Sequence, residues 1–139
     1  MPKKSKKIRI KETNLPENIN IKFSFEFYDS DYSEYCLSTW KSDQISSALK
    51  RMKEVNGKTF NELQRDNQVY HFHSVPWEET NKKNGFPNDK VNELEAFQIA
   101  LIGINGQKAR LFGGYAQNTF YIVWFDLEHK IWPSFKKRT

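Results

Sequence analysis

Three histidines, His71, His73 and His129, are the side chains in this sequence that change charge nearest neutral pH. His71 and His73 stand two apart, so on a strand they share a face, a spacing compatible with metal ligation or with paired acid and base roles. No cysteine or spaced carboxylate accompanies them, and such a pair is also what ordinary polar strand residues look like. Proton transfer needs no further partner. Metal-free cleavage of RNA takes a proton from the 2′-hydroxyl and returns one to the leaving oxygen, work suited to His73 or His129. Arg110 is the candidate for offsetting the charge that builds on the phosphate. The run from Asp126 to His129 has two readings. A turn there sets Asp126 beside His129 to orient the imidazole, or Asp126 simply opens the turn by capping backbone N–H groups.

Other chemistries lack their residues. The one cysteine, Cys36, excludes an intramolecular disulfide and a Cys-based zinc site, and its Tyr-rich surroundings carry no nucleophile signature. Asp29, Asp31 and Glu34 form an acidic cluster that suits a divalent cation or plain solvation. There is no phosphate-cradling glycine loop, dinucleotide fingerprint or zinc-finger spacing, so neither a cofactor nor a metal is expected.

Charge points to the partner. Lys and Arg number 22 against 17 Asp and Glu, for a formal net charge of +5, which favours an anionic partner with nucleic acid first among them. The 139 residues, 37% of them hydrophobic, suffice for one core, so a single domain is expected over 1–139. Residues 1–7 and 136–139 read as basic, solvated tails. No apolar run is long enough to cross a bilayer, and no apolar segment follows the basic N-terminus, so a cytoplasmic location and no membrane partner are expected.

Ile19, Ile21, Phe23, Phe25 and Phe27 alternate with polar residues and predict a first strand, after which residues 29–35 read as a loop. Ile45, Leu49, Met52 and Val55 predict a helix capped by Ser42 or Asp43 and stopped at Asn56-Gly57. Thr59 and Glu62 have capping-box spacing for a second, short helix. Val69 to His73 reads as a strand and 76–90 as a long irregular loop. Runs 96–104, 107–113 and 119–126 predict an antiparallel meander, with a short last strand at Lys130 to Trp132. The predicted class is α+β: an N-terminal strand, two helices, then a C-terminal meander, with the helices on one face of the sheet.

A two-residue turn at Asn105-Gly106 sets Ala100 opposite Leu111, and Leu101 and Ile99 opposite Arg110 and Phe112. The second pairing makes a face of Lys108, Arg110 and Phe112, suited to a phosphate backbone and a stacked base, or to solvation of an outer face. Trp77, Trp124 and Trp132 read as core or groove walls.

The runs Ala96-Phe-Gln-Ile-Ala-Leu101, Lys108-Ala-Arg-Leu-Phe-Gly-Gly114 and Asn118 to Pro133 resemble the C-terminal meander of RelE/HigB/ParE-like toxins. The ending, with Trp124-Phe-Asp126 and His129, also resembles that of a group of small bacterial and phage proteins closing on Trp/Phe-Asp-x-x-His-x-x-Tyr/Trp-Pro. His73-Ser-Val-Pro-Trp77 resembles their His-x-x-x-Trp segment. The resemblance implies a RelE-like α+β fold, a cytoplasmic protein, an antitoxin partner and metal-independent cleavage of messenger RNA on the ribosome. It also implies catalytic groups on the sheet, here Arg110, Tyr121 and His129 or Lys130. The chain departs from those toxins in its length, its 29–35 loop and its 76–90 insertion.

The expectation is therefore a toxin-type RNA-acting protein, a metal-independent endoribonuclease of a toxin–antitoxin or phage-defence type system. His73, Arg110, Tyr121 and His129 are its catalytic candidates, and Lys108, Phe112 and Lys130 its RNA-binding ones. The alternative is a non-enzymatic binding protein, encoded by a phage or mobile element, that engages nucleic acid or an acidic protein through the same basic face.

Overall fold

Thr59 and Glu62 form the capping box their spacing predicts. The Glu62 N–H donates to Thr59 Oγ1 at 3.1 Å and the Thr59 N–H donates to Glu62 Oε1 at 2.9 Å. The computed structural model describes residues 19–31, 33–101, 104, 106 and 108–133. The proposed basic tails and most of the Asn105-Gly106 turn lie outside the described residues. Within them the fold is α+β, with helices α1 (Ser42–Asn56), α2 (Phe60–Arg65) and α3 (Asn67–Tyr70). Strands β1 (Lys22–Ser24), β2 (His73–Ser74), β3 (Glu95–Ala100), β4 (Arg110–Ala116) and β5 (Thr119–Asp126) form one mixed sheet in the order β1-β5-β4-β3-β2. No described helix is long and apolar enough to cross a membrane.

Helix α1 follows its apolar period with one correction. Ala48, Met52 and Val55 are buried, whereas Leu49 is 52% exposed, because the inward stripe runs through position 48 and turns Leu49 away. The first strand is shorter than its alternation suggests. Lys22–Ser24 pairs parallel to β5 and Asn20 makes a single bridge to Thr59; the chain then turns so that the Tyr28 N–H donates to the Phe25 carbonyl at 3.1 Å, leaving Phe25 half exposed.

The segment predicted as a strand over Val69 to His73 is divided: Val69 and Tyr70 end α3, His71 and Phe72 belong to no element, and only His73 enters a strand. Tyr70 is the residue pointing inward: its hydroxyl donates to Glu54 at 2.8 Å and the Arg51 guanidinium lies 5.0 Å from its ring, which ties α3 to α1. The predicted strand at Lys130 to Trp132 is absent. The N–H groups of Lys130 and Ile131 donate instead to the Asp126 carboxylate, at 3.0 and 2.7 Å, so this backbone bonds to a side chain rather than to a neighbouring strand.

The β3/β4 ladder is offset by one residue from the predicted hairpin. Ala100 opposes Arg110, Gln98 opposes Phe112 and Ile99 opposes Leu111. This register gathers Phe97, Ile99, Leu101, Ala109 and Leu111 on the face covered by the helices, and it sets Arg110 and Phe112 on the other. That other face is covered too. Val75, Phe86 and Val91 from the 75–94 segment, with Tyr35, build a second apolar layer over Phe112 and Trp124. The 76–90 segment thus closes the sheet face expected to be presented. Gly113 and Gly114 lie within β4, where a side chain on Gly113 would collide with the Tyr121 carbonyl, and Gln117 and Asn118, at φ 53° and 67°, make the turn to β5.

Candidate functional site

Helix α3 ends because His71 adopts the left-handed conformation, φ 47°, its N–H donating to the Asn67 carbonyl at 2.8 Å. Two residues on, His73 enters β2 opposite Gln98. The two rings sit with centroids 6.0 Å apart, and the His73 ring also lies edge-on to Trp132 at 6.4 Å. On the same sheet face Arg110 begins β4, directly opposite both Ala100 on β3 and Asp126, the last residue of β5. The turn held by Asp126 then delivers His129, again left-handed, at φ 58°.

Arg110 is the hub of this cluster. It is 8% exposed, donates through Nη1 to the Ala109 carbonyl at 3.1 Å, and its charge acts on all three imidazoles. Burial is the largest influence on each histidine. It lowers the pKa of His71, with Arg110 and His73 pushing the same way, and that of His73, again with Arg110. His129 is pushed down to about 4 by burial, then by Arg110 and His71, against a backbone hydrogen bond at Trp132. Each ring is thereby biased toward its neutral form, whose lone pair can accept a proton. Burial also raises the Asp126 carboxyl pKa, which the two N–H donors hold back.

His73, Arg110 and His129 are thus brought together from distant parts of the sequence. Tyr121 is not among them. It lies beside Gly114 and Ser24, its ring 5.5 Å from Phe27, and about 16 Å of strand separates it from Asp126 at about 3.3 Å per residue. Phe112, expected to stack on a base, is fully buried in the second apolar layer and offers no ring face to solvent. Lys108 and Lys130 are exposed at the rim; Lys108 adds to the field on His129, while Lys130 pairs with Glu34 at 3.7 Å. Asp126 performs the backbone-capping half of its two readings.

Two residues join the site that the sequence did not assign to it. His71 was visible in the His-x-His spacing, but its place depends on a helix end rather than a strand face. Gln98 is 5% exposed beneath His71 and His73, its Nε2 3.5 Å from the His71 carbonyl oxygen. Nothing in its local pattern marked it. Among the described residues no group of three or more His, Cys, Asp or Glu side chains is arranged to hold a metal. A separate cleft of about 360 Å³ lies between Asp29, the 81–87 segment and Trp124, and none of the cluster residues lines it.

No protein-family model matches the chain, no curated protein matches it, and no solved structure matches it.

Proposed function

We propose that the protein is a RelE-like, toxin-type endoribonuclease that cleaves messenger RNA without a metal, with His71, His73 and His129 supplying the proton transfers and Arg110 the positive charge. The observation that supports this most is the convergence of three imidazoles on one guanidinium at the end of the sheet. A neutral imidazole takes the 2′-hydroxyl proton as that oxygen attacks phosphorus, and the imidazolium so formed returns that proton to the departing 5′-oxygen as its bond to phosphorus breaks. The products are a 2′,3′-cyclic phosphate and a 5′-hydroxyl. Arg110 offsets the charge gathered on the phosphoryl oxygens, most effectively because it is poorly solvated. In this reading the protein acts in the cytoplasm on free or ribosome-bound RNA and is restrained by an antitoxin.

The test is incubation of the purified protein with end-labelled RNA, free and on ribosomes, in excess chelator. Cleavage leaving cyclic phosphate ends, lost in His73→Ala and Arg110→Ala, is the expected result. Intact RNA in both settings overturns the reading. The exposure of Lys108 and Lys130 outside a largely buried Arg110 favours a second reading, a non-enzymatic protein that engages nucleic acid or an acidic protein through its basic rim. Salt-sensitive binding that survives His73→Ala, His129→Ala and Arg110→Ala distinguishes it.

A further inference from the structure

Two of the three clustered histidines occupy backbone positions that suit other residues better. His71 and His129 both lie in the left-handed region, at φ 47° and 58°, which glycine or asparagine adopts at lower cost. A left-handed position admits asparagine and aspartate as well as histidine, so it does not by itself select an imidazole, and the fold brings both to the same end of the sheet as His73 and Arg110.

The surroundings of the imidazoles are one-sided. Among the described residues, the charges acting on them are Arg110 on β4, Lys108 just before it, and the neighbouring imidazoles. Nearby carboxylates are otherwise engaged: Asp126 accepts from the Lys130 and Ile131 N–H groups, and Glu34, in the turn Ser33–Tyr35, pairs with Lys130. With centroids 6.0 Å apart, the His71 and His73 rings are close enough for a nitrogen of each to donate to one oxoanion over an ordinary hydrogen-bond distance of about 2.8 Å.

We propose that His71, His73 and His129, backed by Arg110, form a site for one phosphate group, and that this group binds together with a proton taken up by an imidazole. The inference rests on the same cluster as the nuclease reading but requires binding alone. No covalent bond changes. A proton passes from solvent to an imidazole nitrogen, because a phosphate oxygen at hydrogen-bond distance favours the imidazolium that Arg110 otherwise opposes. Linkage makes the effect reciprocal, so acid tightens phosphate binding as much as phosphate promotes protonation. The phosphate belongs either to a nucleic-acid backbone or to a free or terminal phosphate.

The experiment follows the histidine ring signals of the full chain by NMR between about pH 4 and pH 8, alone, with inorganic phosphate, and with a 2′-deoxy dinucleotide that cannot be cleaved. At saturation with at least one ligand, the protonation midpoint of one or more of the three rings rises by about one pH unit. Affinity falls about tenfold or more in His71→Asn and His129→Asn, since Asn keeps the left-handed backbone. Binding of the dinucleotide alone assigns the site to a nucleic-acid backbone; binding of inorganic phosphate alone assigns it to a free or terminal phosphate. Absence of any midpoint rise with either ligand overturns the proposal, as does undiminished affinity in both variants. Should either variant fail to melt cooperatively, His73→Gln, in ordinary strand backbone, carries the comparison. RNA cleavage is followed on the same samples. Proton-coupled binding without cleavage removes the nuclease reading and leaves this site; cleavage without proton-coupled binding does the reverse.

Discussion

Arg110 and Asp126 oppose one another across the β4/β5 ladder at the end of the sheet, one at the start of its strand and the other at the close. Each holds a different part of the site. Arg110 charges the space around His71 and His73, and Asp126 ties down the turn that carries His129. Asp126→Ala leaves the Lys130 and Ile131 N–H groups without their acceptor in a position only 1% exposed, and is expected to lower stability by about 2–4 kcal/mol. Asp126→Asn keeps one acceptor oxygen and loses less. Chemical denaturation of the two variants beside the wild type checks the order.

Acid should loosen the fold through His129. Its pKa is about 4 when folded against 6.5 as the ordinary value, so between those pH values the unfolded chain binds more protons. Stability from this group is complete above about pH 6.5 and is lost as pH falls toward 4. Because the ring is partly solvated, the loss is expected at about 1–2 kcal/mol rather than the full linkage value. His129→Asn should reduce the dependence of melting temperature on pH across that window; an unchanged slope contradicts the assignment.

Phe112 belongs to the core and not to an RNA surface. Phe112→Ala is expected to cost about 3–5 kcal/mol in denaturant unfolding, since it empties the layer formed by Phe86, Val91 and Trp124. Phe112→Leu should keep most of the stability and leave any nucleic-acid affinity within about twofold. A large affinity loss in the stable leucine variant would restore the stacking role.

Tyr121 offers a direct comparison with what the toxin resemblance implies. It sits against Phe27, away from the histidines, so under the proposed nuclease reading Tyr121→Phe is expected to leave cleavage within about twofold while His73→Ala abolishes it. A loss of activity in Tyr121→Phe equal to that in His73→Ala would move the site along β5.

The capping box gives a local check. Thr59→Ala removes the acceptor of the Glu62 N–H and is expected to cost about 1 kcal/mol, seen as a lower denaturation midpoint with an unchanged slope.

Local chemistry was legible wherever it is decided within a few residues. The Thr59–Glu62 box, the stripe of α1 through Met52 and Val55, and the meander all follow from side-chain spacing and backbone preference. The candidacy of His73, Arg110 and His129 also came from residue type, because few other side chains can move protons or offset phosphate charge. What the sequence could not decide were the features set by partners distant along the chain. Alternation at Ile19 to Phe27 persists where no strand pairs with it, and Val69 to His73 read as extended because the Tyr70 contacts with Glu54 and Arg51 are tertiary. Register was the largest such case. A shift of one residue exchanges the neighbours of every side chain on the ladder, so placing Gln98 and Ala100 beside Phe112 and Arg110 depended on packing both sheet faces at once. The same packing buried Phe112 beneath the 75–94 segment and left Tyr121 apart. Only the tertiary structure brought His71 to His73, Arg110 and His129, since a helix end, two strand ends and a carboxylate-capped turn must meet for the cluster to exist.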